Sequence, residues 1–422
     1  MTIAAGTGPA PALPALEPPT ARIGPLGWAR ANLFSSSTNG LLSLLLGGLA
    51  ALGLYRLGRF VFVTAEWEVV RRNLRLLMVG RSFPTEELWR PWAGAALLAV
   101  AIGFGTGSAA ASAADVARSQ GRAVAGVSRW EALRRNWPVV ALVVALFAFI
   151  TTPLPYLGLA GVFASLVVSR AAGRAAPTAL RSWSWLVILG TVISAYVVVT
   201  GFGGVPREDW GGLLLSLAVT VAGIVLAFPL GLVLALGRRS VLPALRGVCS
   251  VYIEIFRGVP LVALLFMSQF LVGFLFPSFV EPPQPLTRAL LVIVAFEAAY
   301  LAEVVRGGLQ GVPRGQIEAA QAIGLGPFAL QRRIVLPQAL RSVLPGIVGQ
   351  FISLFKDTSL LSVVGFVELL DVAQFITSQP DFAGRGLSSV TLAFAGFVYW
   401  VGAYTMSRES RRLERRLGVG TR

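Results

Sequence analysis

Lys356 and Asp357 stand side by side in the apolar stretch Phe351-Ile352-Ser353-Leu354-Phe355-Lys356-Asp357-Thr358-Ser359-Leu360. A charged pair inside an apolar run is expensive and is a functional hypothesis by default. Adjacent residues do not face each other on a helix, so each member needs a partner elsewhere. Gating, stability and contact with a transported molecule are the roles open to them. Glu297, in Ala295-Phe296-Glu297-Ala298-Ala299-Tyr300, reads two ways: as a carboxylate hydrogen-bonded to a neighbouring helix, or as the lining of a path, meeting an ammonium group. Glu303 and Arg306 are three apart, hence on one helical face, where pairing makes burial tolerable.

The remaining chemical inventory is thin. There is no histidine and one cysteine, Cys249, so no His/Cys metal cluster, disulfide or Ser-His-Asp triad can be assembled. Lys356 is the one lysine among 36 basic residues, and no Gly-x-x-x-x-Gly precedes it. A phosphate-binding P-loop is therefore missing. Energy from ATP would have to come from a partner, and the sequence calls for no cofactor and no metal.

The elements that must position these charges are apolar. Of 422 residues, 55% are hydrophobic and 13% charged, against about 25% charged in a soluble domain. Mean hydropathy is +0.73. A soluble fold cannot hide that much apolar surface, so the chain reads as an all-α, polytopic helical membrane protein set in a lipid bilayer. The net charge of +16 does not point to nucleic acid, because the arginines fall between long apolar runs, the pattern that orients a protein in a bilayer.

Residues 1–39, rich in Pro, Ala, Thr and Ser, read as a disordered tail without a signal peptide. Ten apolar runs follow: Leu41–Val63, Trp92–Ala111, Trp137–Thr152, Leu154–Ser169, Trp183–Gly201, Gly211–Leu236, Tyr252–Phe276, Leu286–Arg306, Val343–Val367 and Leu387–Met406. The third and fourth are a tight hairpin or a single kinked span. Arginines cluster in 115–136, in 170–181, in 238–246 and after Met406. With ten spans these segments share the cytoplasmic side with both termini. One connection disagrees: 64–90 falls outside yet holds Arg71, Arg72, Arg75, Arg81 and Arg90, nearly balanced by Glu66, Glu68, Glu86 and Glu87. An amphipathic segment lying along the interface would account for it. Trp89, Trp92, Trp137, Trp183, Trp185 and Trp210 read as interface anchors. The chain divides near 205–210 into an N-terminal transmembrane extension, 40–205, and a motif-dense core, 206–422, with no convincing internal repeat between them.

The longest polar stretch of the core, Gly311–Leu340, begins Gly-Val-Pro-Arg-Gly-Gln-Ile-Glu-Ala-Ala-Gln-Ala-Ile-Gly-Leu-Gly. Pro313 and Gly315 open a helix near 314–323 that Gly324 and Gly326 close. About ten residues make a rod of roughly 15 Å. Its small residues, Ala319, Ala320 and Ala322, permit close approach to another backbone, and Glu318 adds a charge. A short helix held on the arginine-rich side is a suitable lever for a soluble partner.

Glu318-Ala319-Ala320, then Gly324, then Ile334-x-Leu336-Pro337 resembles the "EAA" loop of ABC importer permeases. The segments 252–261, 300–309 and 350–360 sharpen the likeness to the polar amino-acid branch, over about Gly211 to Leu417. The stretch Gly80-Arg81-Ser82-Phe83-Pro84-Thr85-Glu86-Glu87-Leu88-Trp89-Arg90-Pro91 resembles the long permeases for general L-amino acids or for glutamate, glutamine, aspartate and asparagine. The resemblance implies a type I ABC importer permease core in a bacterial inner membrane. It implies an ATPase dimer as the partner that hydrolyses ATP, a second and unlike permease chain, and a periplasmic amino-acid-binding protein. Glu318, Ala319, Ala320, Gly324, Leu336 and Pro337 would couple to the ATPase. Glu303 and Arg306, at the cytoplasmic end of the third core span, would be structural or coupling residues rather than ligand contacts. Glu297, Lys356 and Asp357 would form a core charge network or line the path of an amino acid. The competing reading is a secondary amino-acid transporter or channel that works without ATP.

Overall fold

The computed structural model describes residues 24–121, 137, 153–271 and 281–417, and the chain divides into two compact units, 1–65 and 66–422. In the first unit, α1 (Pro25–Asn32) and α2 (Ser37–Arg59) begin within the residues expected to be a disordered tail. The physical reason is local: Pro25 sits at N1, where its missing N–H is harmless, and Ser36 Oγ caps α2 by accepting from Asn39 N at 3.2 Å. A π turn, Phe60–Thr64, completes the apolar helix.

The second unit holds α3 (Glu68–Arg72), α4 (Leu74–Val79), α5 (Trp89–Ser119), α6 (Pro153–Ala175), α7 (Thr178–Ser182) and α8 (Ser184–Thr200), then α9 (Gly212–Arg238), α10 (Pro243–Gly258), α11 (Leu261–Phe270), α12 (Pro285–Gln310), α13 (Arg314–Ala322), α14 (Pro327–Leu330), α15 (Leu336–Asp357), α16 (Leu369–Phe375) and α17 (Ser388–Leu417). Among the described residues there is no strand, only an isolated bridge between Gly212 and Glu368. Among the described residues six helices are long and apolar enough to cross a bilayer, or seven if the bent pair α10–α11 is one span. The described helices therefore do not establish the expected ten. The third apolar run, Trp137–Thr152, lies outside the described residues apart from Trp137.

Two apolar runs take a different shape from the one expected. Tyr252–Phe276 is not a straight span: α10 and α11 meet at 100°. Pro260 lacks an N–H and drives Val259 to extended backbone, φ −105° and ψ 133°. The ninth run begins earlier than expected, because α15 starts at Leu336. Lys356 and Asp357 consequently end an α-helix, about 30 Å from its start, and a 3-10 segment, Thr358–Val364, carries on to Gly365 at φ +88°.

Close packing of α9 on α12 builds the core. Ala227, Gly231 and Ala235 recur every fourth residue on α9 and bury against Ala298, Leu301 and Ala302. A Cβ on Gly231 would come within 2.9 Å of the Ala298 carbonyl. Small residues at this spacing let two backbones touch, which is how helices associate where lipid removes the hydrophobic drive.

The discordant segment 64–90 docks on this core. Val69, Val70, Leu77 and Val79 are buried, while Arg71 and Arg72 face outward and pair with Glu68. It is amphipathic, as expected, but the apolar side meets protein. Gly211 N donates to Val79 O at 3.0 Å, and a Cβ on Gly80 (φ +84°) would lie 2.6 Å from Gly211 Cα. Arg90 is 8% exposed; it pairs with Glu87 and donates to Val198 O at 2.7 Å and Gly201 O at 3.1 Å, closing the C-terminus of α8. This segment therefore lies at the end of the unit where α9, α12 and α17 begin. The opposite end gathers the C-termini of α9 and α12, the α13 loop and the start of α15.

Candidate functional site

At that opposite end α12 stops at Gln310, and Gly311-Val312-Pro313 redirects the chain into α13. Val312 and Ala320 are buried, and Ile317 packs on the core cluster. Of the three small residues, Ala320 faces the core, while Ala319 and Ala322 are exposed with Glu318. The helix ends in a Schellman cap: Gly324, at φ +81°, donates to Gln321 O at 2.9 Å, and Leu325 N donates to Ala320 O at 3.1 Å. A side chain at that left-handed position costs about 1–2 kcal/mol. Leu336 is half-buried and Pro337 exposed, at the N1/N2 positions of α15.

Beside the cap, Ile323 and Phe328 are 77% and 78% exposed. Sequence reasoning missed both. The usable signal was their place next to Gly324 and Pro327, the punctuation that turns them out of the rod.

Glu303 and Arg306 pair as expected, and Arg306 Nε donates to Glu303 Oε1 at 2.9 Å. Three residues not foreseen join them. Arg238, the last residue of α9, donates to Glu303 Oε2 at 3.2 Å and to Glu254 Oε1 at 2.7 Å. Arg257 lies 3.9 Å from Glu303 and over the Tyr300 ring at 5.4 Å. One carboxylate thus faces three guanidiniums drawn from α9, α10 and α12. Arg239 adds a donor to Leu309 O at 2.9 Å, one turn before the α13 loop.

The third group sits deeper. Glu297 is 1% exposed, and its Oε2 has no hydrogen-bond partner. Asp357 on α15 lies within electrostatic reach of it. Lys356 is exposed and forms no ion pair among the described residues. Within this chain Asp357 therefore lies within electrostatic reach of both Glu297 and Lys356.

A fourth group was not foreseen at all. Glu368 is 0% exposed and accepts from Asp371 N at 2.9 Å, Tyr399 Oη at 2.8 Å and Ser216 Oγ at 3.4 Å. It caps α16 and ties the start of α9 to α17. Among the described residues no three His, Cys, Asp or Glu side chains converge to hold a metal ion.

Residues 227–419 match the family described as binding-protein-dependent transport system inner membrane component. Over 240 residues the chain is 42% identical to the inner membrane amino-acid ABC transporter permease protein YhdY of Escherichia coli, covering 56% of this chain and 64% of that protein. It is 42% identical over 215 residues to the glutamate/glutamine/aspartate/asparagine transport system permease protein BztC of Rhodobacter capsulatus, covering 50% and 49%. The match therefore spans less than two thirds of either protein. With the probable glutamine ABC transporter permease protein GlnP of Bacillus subtilis it shares 36% identity over 205 residues, covering 49% of this chain and 91% of that protein.

Proposed function

Because the chain belongs to the binding-protein-dependent transport system inner membrane components, the permeases of ABC transporters, we propose that it is the membrane-spanning subunit of an importer that moves amino acids, polar or acidic ones, across a bacterial inner membrane. The ATPase is a partner dimer that docks on α13. A second, unlike permease chain completes the path, and a periplasmic binding protein delivers the amino acid. Both termini and the α13 end face the cytoplasm, where Arg118, Arg174, Arg238, Arg239 and Arg408 lie, as the positive-inside rule favours. The likeness to the amino-acid permease YhdY and to the glutamate/glutamine/aspartate/asparagine permease BztC supports the substrate class.

The observation that carries the reading is the α13 turn. It is a short capped helix that presents Ile323 and Phe328 to solvent and follows α12, which carries a charge cluster joining three helices. Large apolar side chains held out beside a rigid turn are anchors for a partner's pocket. ATP would close the partner dimer, move α13 and open the path outward; hydrolysis would return it inward. Such a shift requires α13 to bind the two ATPase states with different free energies. Glu297 and Asp357 would line the path and meet the ammonium group of the amino acid.

The test is purification of the assembled complex. An ATPase should co-purify, and Phe328→Asp, Ile323→Asp or Glu318→Ala should abolish transport-linked stimulation of hydrolysis. The inserted chain should stay within about 0.5 kcal/mol of its stability, since these residues are exposed. Uptake driven by sodium or pH through this chain alone would establish the ATP-independent transporter instead.

A further inference from the structure

The end of the second unit opposite α13 holds a cavity of about 280 Å³. Its wall combines both parts of the chain: Arg81 and Ser82 from the extension, the turn Arg207-Glu208-Asp209, Leu286 and Thr287 at the start of α12, and Gly365–Val367 after the 3-10 segment. The Gly80–Gly211 approach fixes this shape, because a Cβ on either residue would collide with the other's backbone.

The charges of the wall are of both signs. Arg81 is held by the Phe375 ring, 5.5 Å from its guanidinium carbon, and lies within electrostatic reach of Asp371. Arg207, Glu208 and Asp209 form one 3-10 turn and make no ion pair among the described residues. Leu286 and Thr287 add first-turn N–H groups of α12, which have no intrahelical acceptor and favour an anion. A protein partner would meet a broad interface of hundreds of square ångströms, whereas a concave site of this size suits a small molecule. Its bipolar wall suits one that carries both charges. A lone anion or cation would leave half of the wall unused.

We propose that this cavity binds a free zwitterionic amino acid at the outer mouth of the path, with the carboxylate toward Arg81, Arg207 and the α12 N–H groups and the ammonium toward Glu208 and Asp209. It is a second station, separate from Glu297 and Asp357, and the extension supplies part of its wall. The inference rests on the amino-acid permease reading for its ligand class.

The experiment uses the full chain in lipid nanodiscs. The native thiol, Cys249, is buried, so Ser82→Cys, or Thr287→Cys as a second reporter, provides the reactive site for a maleimide. L-glutamine or L-alanine at about ten times its Kd should slow labelling about tenfold, because only the free fraction reacts. Propionate and ethylamine, the halves of alanine that carry one charge each, should not protect. Arg207→Gln with Asp209→Asn should abolish protection at both reporters. Unchanged labelling in either amino acid, equal protection by propionate, or protection only on adding a periplasmic binding protein would overturn the site. Labelling is read on the chain alone and ATPase stimulation on the assembled complex. Absent protection with intact stimulation removes this cavity and leaves the permease reading; protection without stimulation supports the cavity and removes that reading.

Discussion

Glu303→Gln tests the charge cluster on α12 most sharply. The carboxylate faces Arg306, Arg238 and Arg257, whose side chains are 30%, 24% and 35% exposed against 22% for Glu303 itself. Exposed pairs contribute about 0–1 kcal/mol, and severing a buried pair costs about 3–5 kcal/mol. This cluster lies between those limits. Arg238 keeps Glu254 at 2.7 Å after the change, whereas Arg306 loses the carboxylate it is hydrogen-bonded to. A loss of about 2 kcal/mol follows from taking the middle of that range. Glu303 lies seven residues before the end of α12, which leads into α13, so Glu303→Gln should also lower stimulated ATP hydrolysis. The assay compares hydrolysis with and without the loaded binding protein in nanodiscs, alongside thermal unfolding. A charge swap, Glu303→Arg with Arg306→Glu, distinguishes a hub from an isolated pair. An isolated i,i+3 pair would be restored. At a hub, the new arginine at 303 would face Arg238 and Arg257 and find repulsion, so the swap should remain uncoupled. Full rescue by the swap, or normal coupling in Glu303→Gln, would refute the reasoning.

Two further changes probe the rest of the core. Gly80→Ala places a Cβ 2.6 Å from Gly211 Cα at φ +84° and ψ 178°, a region open essentially to glycine alone at a strain of about 1–3 kcal/mol; thermal unfolding should show at least that loss, and an unchanged midpoint would mean that 66–83 does not dock on α9. Glu297→Leu replaces a buried carboxylate with an orphan oxygen, so stability should rise by about 1–3 kcal/mol while uptake is lost, and a lowered midpoint would show that the carboxylate holds the helices together.

How much of this was legible depends on the range over which each signal acts. Local rules located α13, because Pro313 and Gly324 mark both ends within eleven residues of chain. They located the Glu303–Arg306 pair for the same reason, since i,i+3 geometry is fixed by the helix. Arg238, 65 positions earlier, joins that pair only through the packing of α9 on α12, and no periodicity within either helix announces it. The packing itself left a trace that went unread, the Ala227, Gly231, Ala235 recurrence. Glu368 left none, because its partners Ser216 and Tyr399 are separated from it by 152 and 31 residues. Lys356 and Asp357 were legible in part: consecutive residues on a helix point apart, so each was expected to find a partner elsewhere, and Asp357 does lie within electrostatic reach of Glu297 while Lys356 is exposed.

Arg90 shows why counting charge along a loop can mislead when a side chain has work inside the fold. Arg90 is buried against two carbonyls of α8, and Arg71 and Arg72 both meet Glu68. A guanidinium already satisfied by protein has less to gain from anionic headgroups or from staying on one side, so these residues can sit at the end where the other loops are poor in arginine. The same docking ties the extension to the core by backbone contacts. Residues 66–83 press on the first turn of α9 through backbone contacts at Gly211 and Gly212, and α9 is locked to α12 along Ala227, Gly231 and Ala235. A displacement of α13 at one end of α12 therefore cannot be absorbed by loose packing on the way, because interiors this close-packed transmit strain.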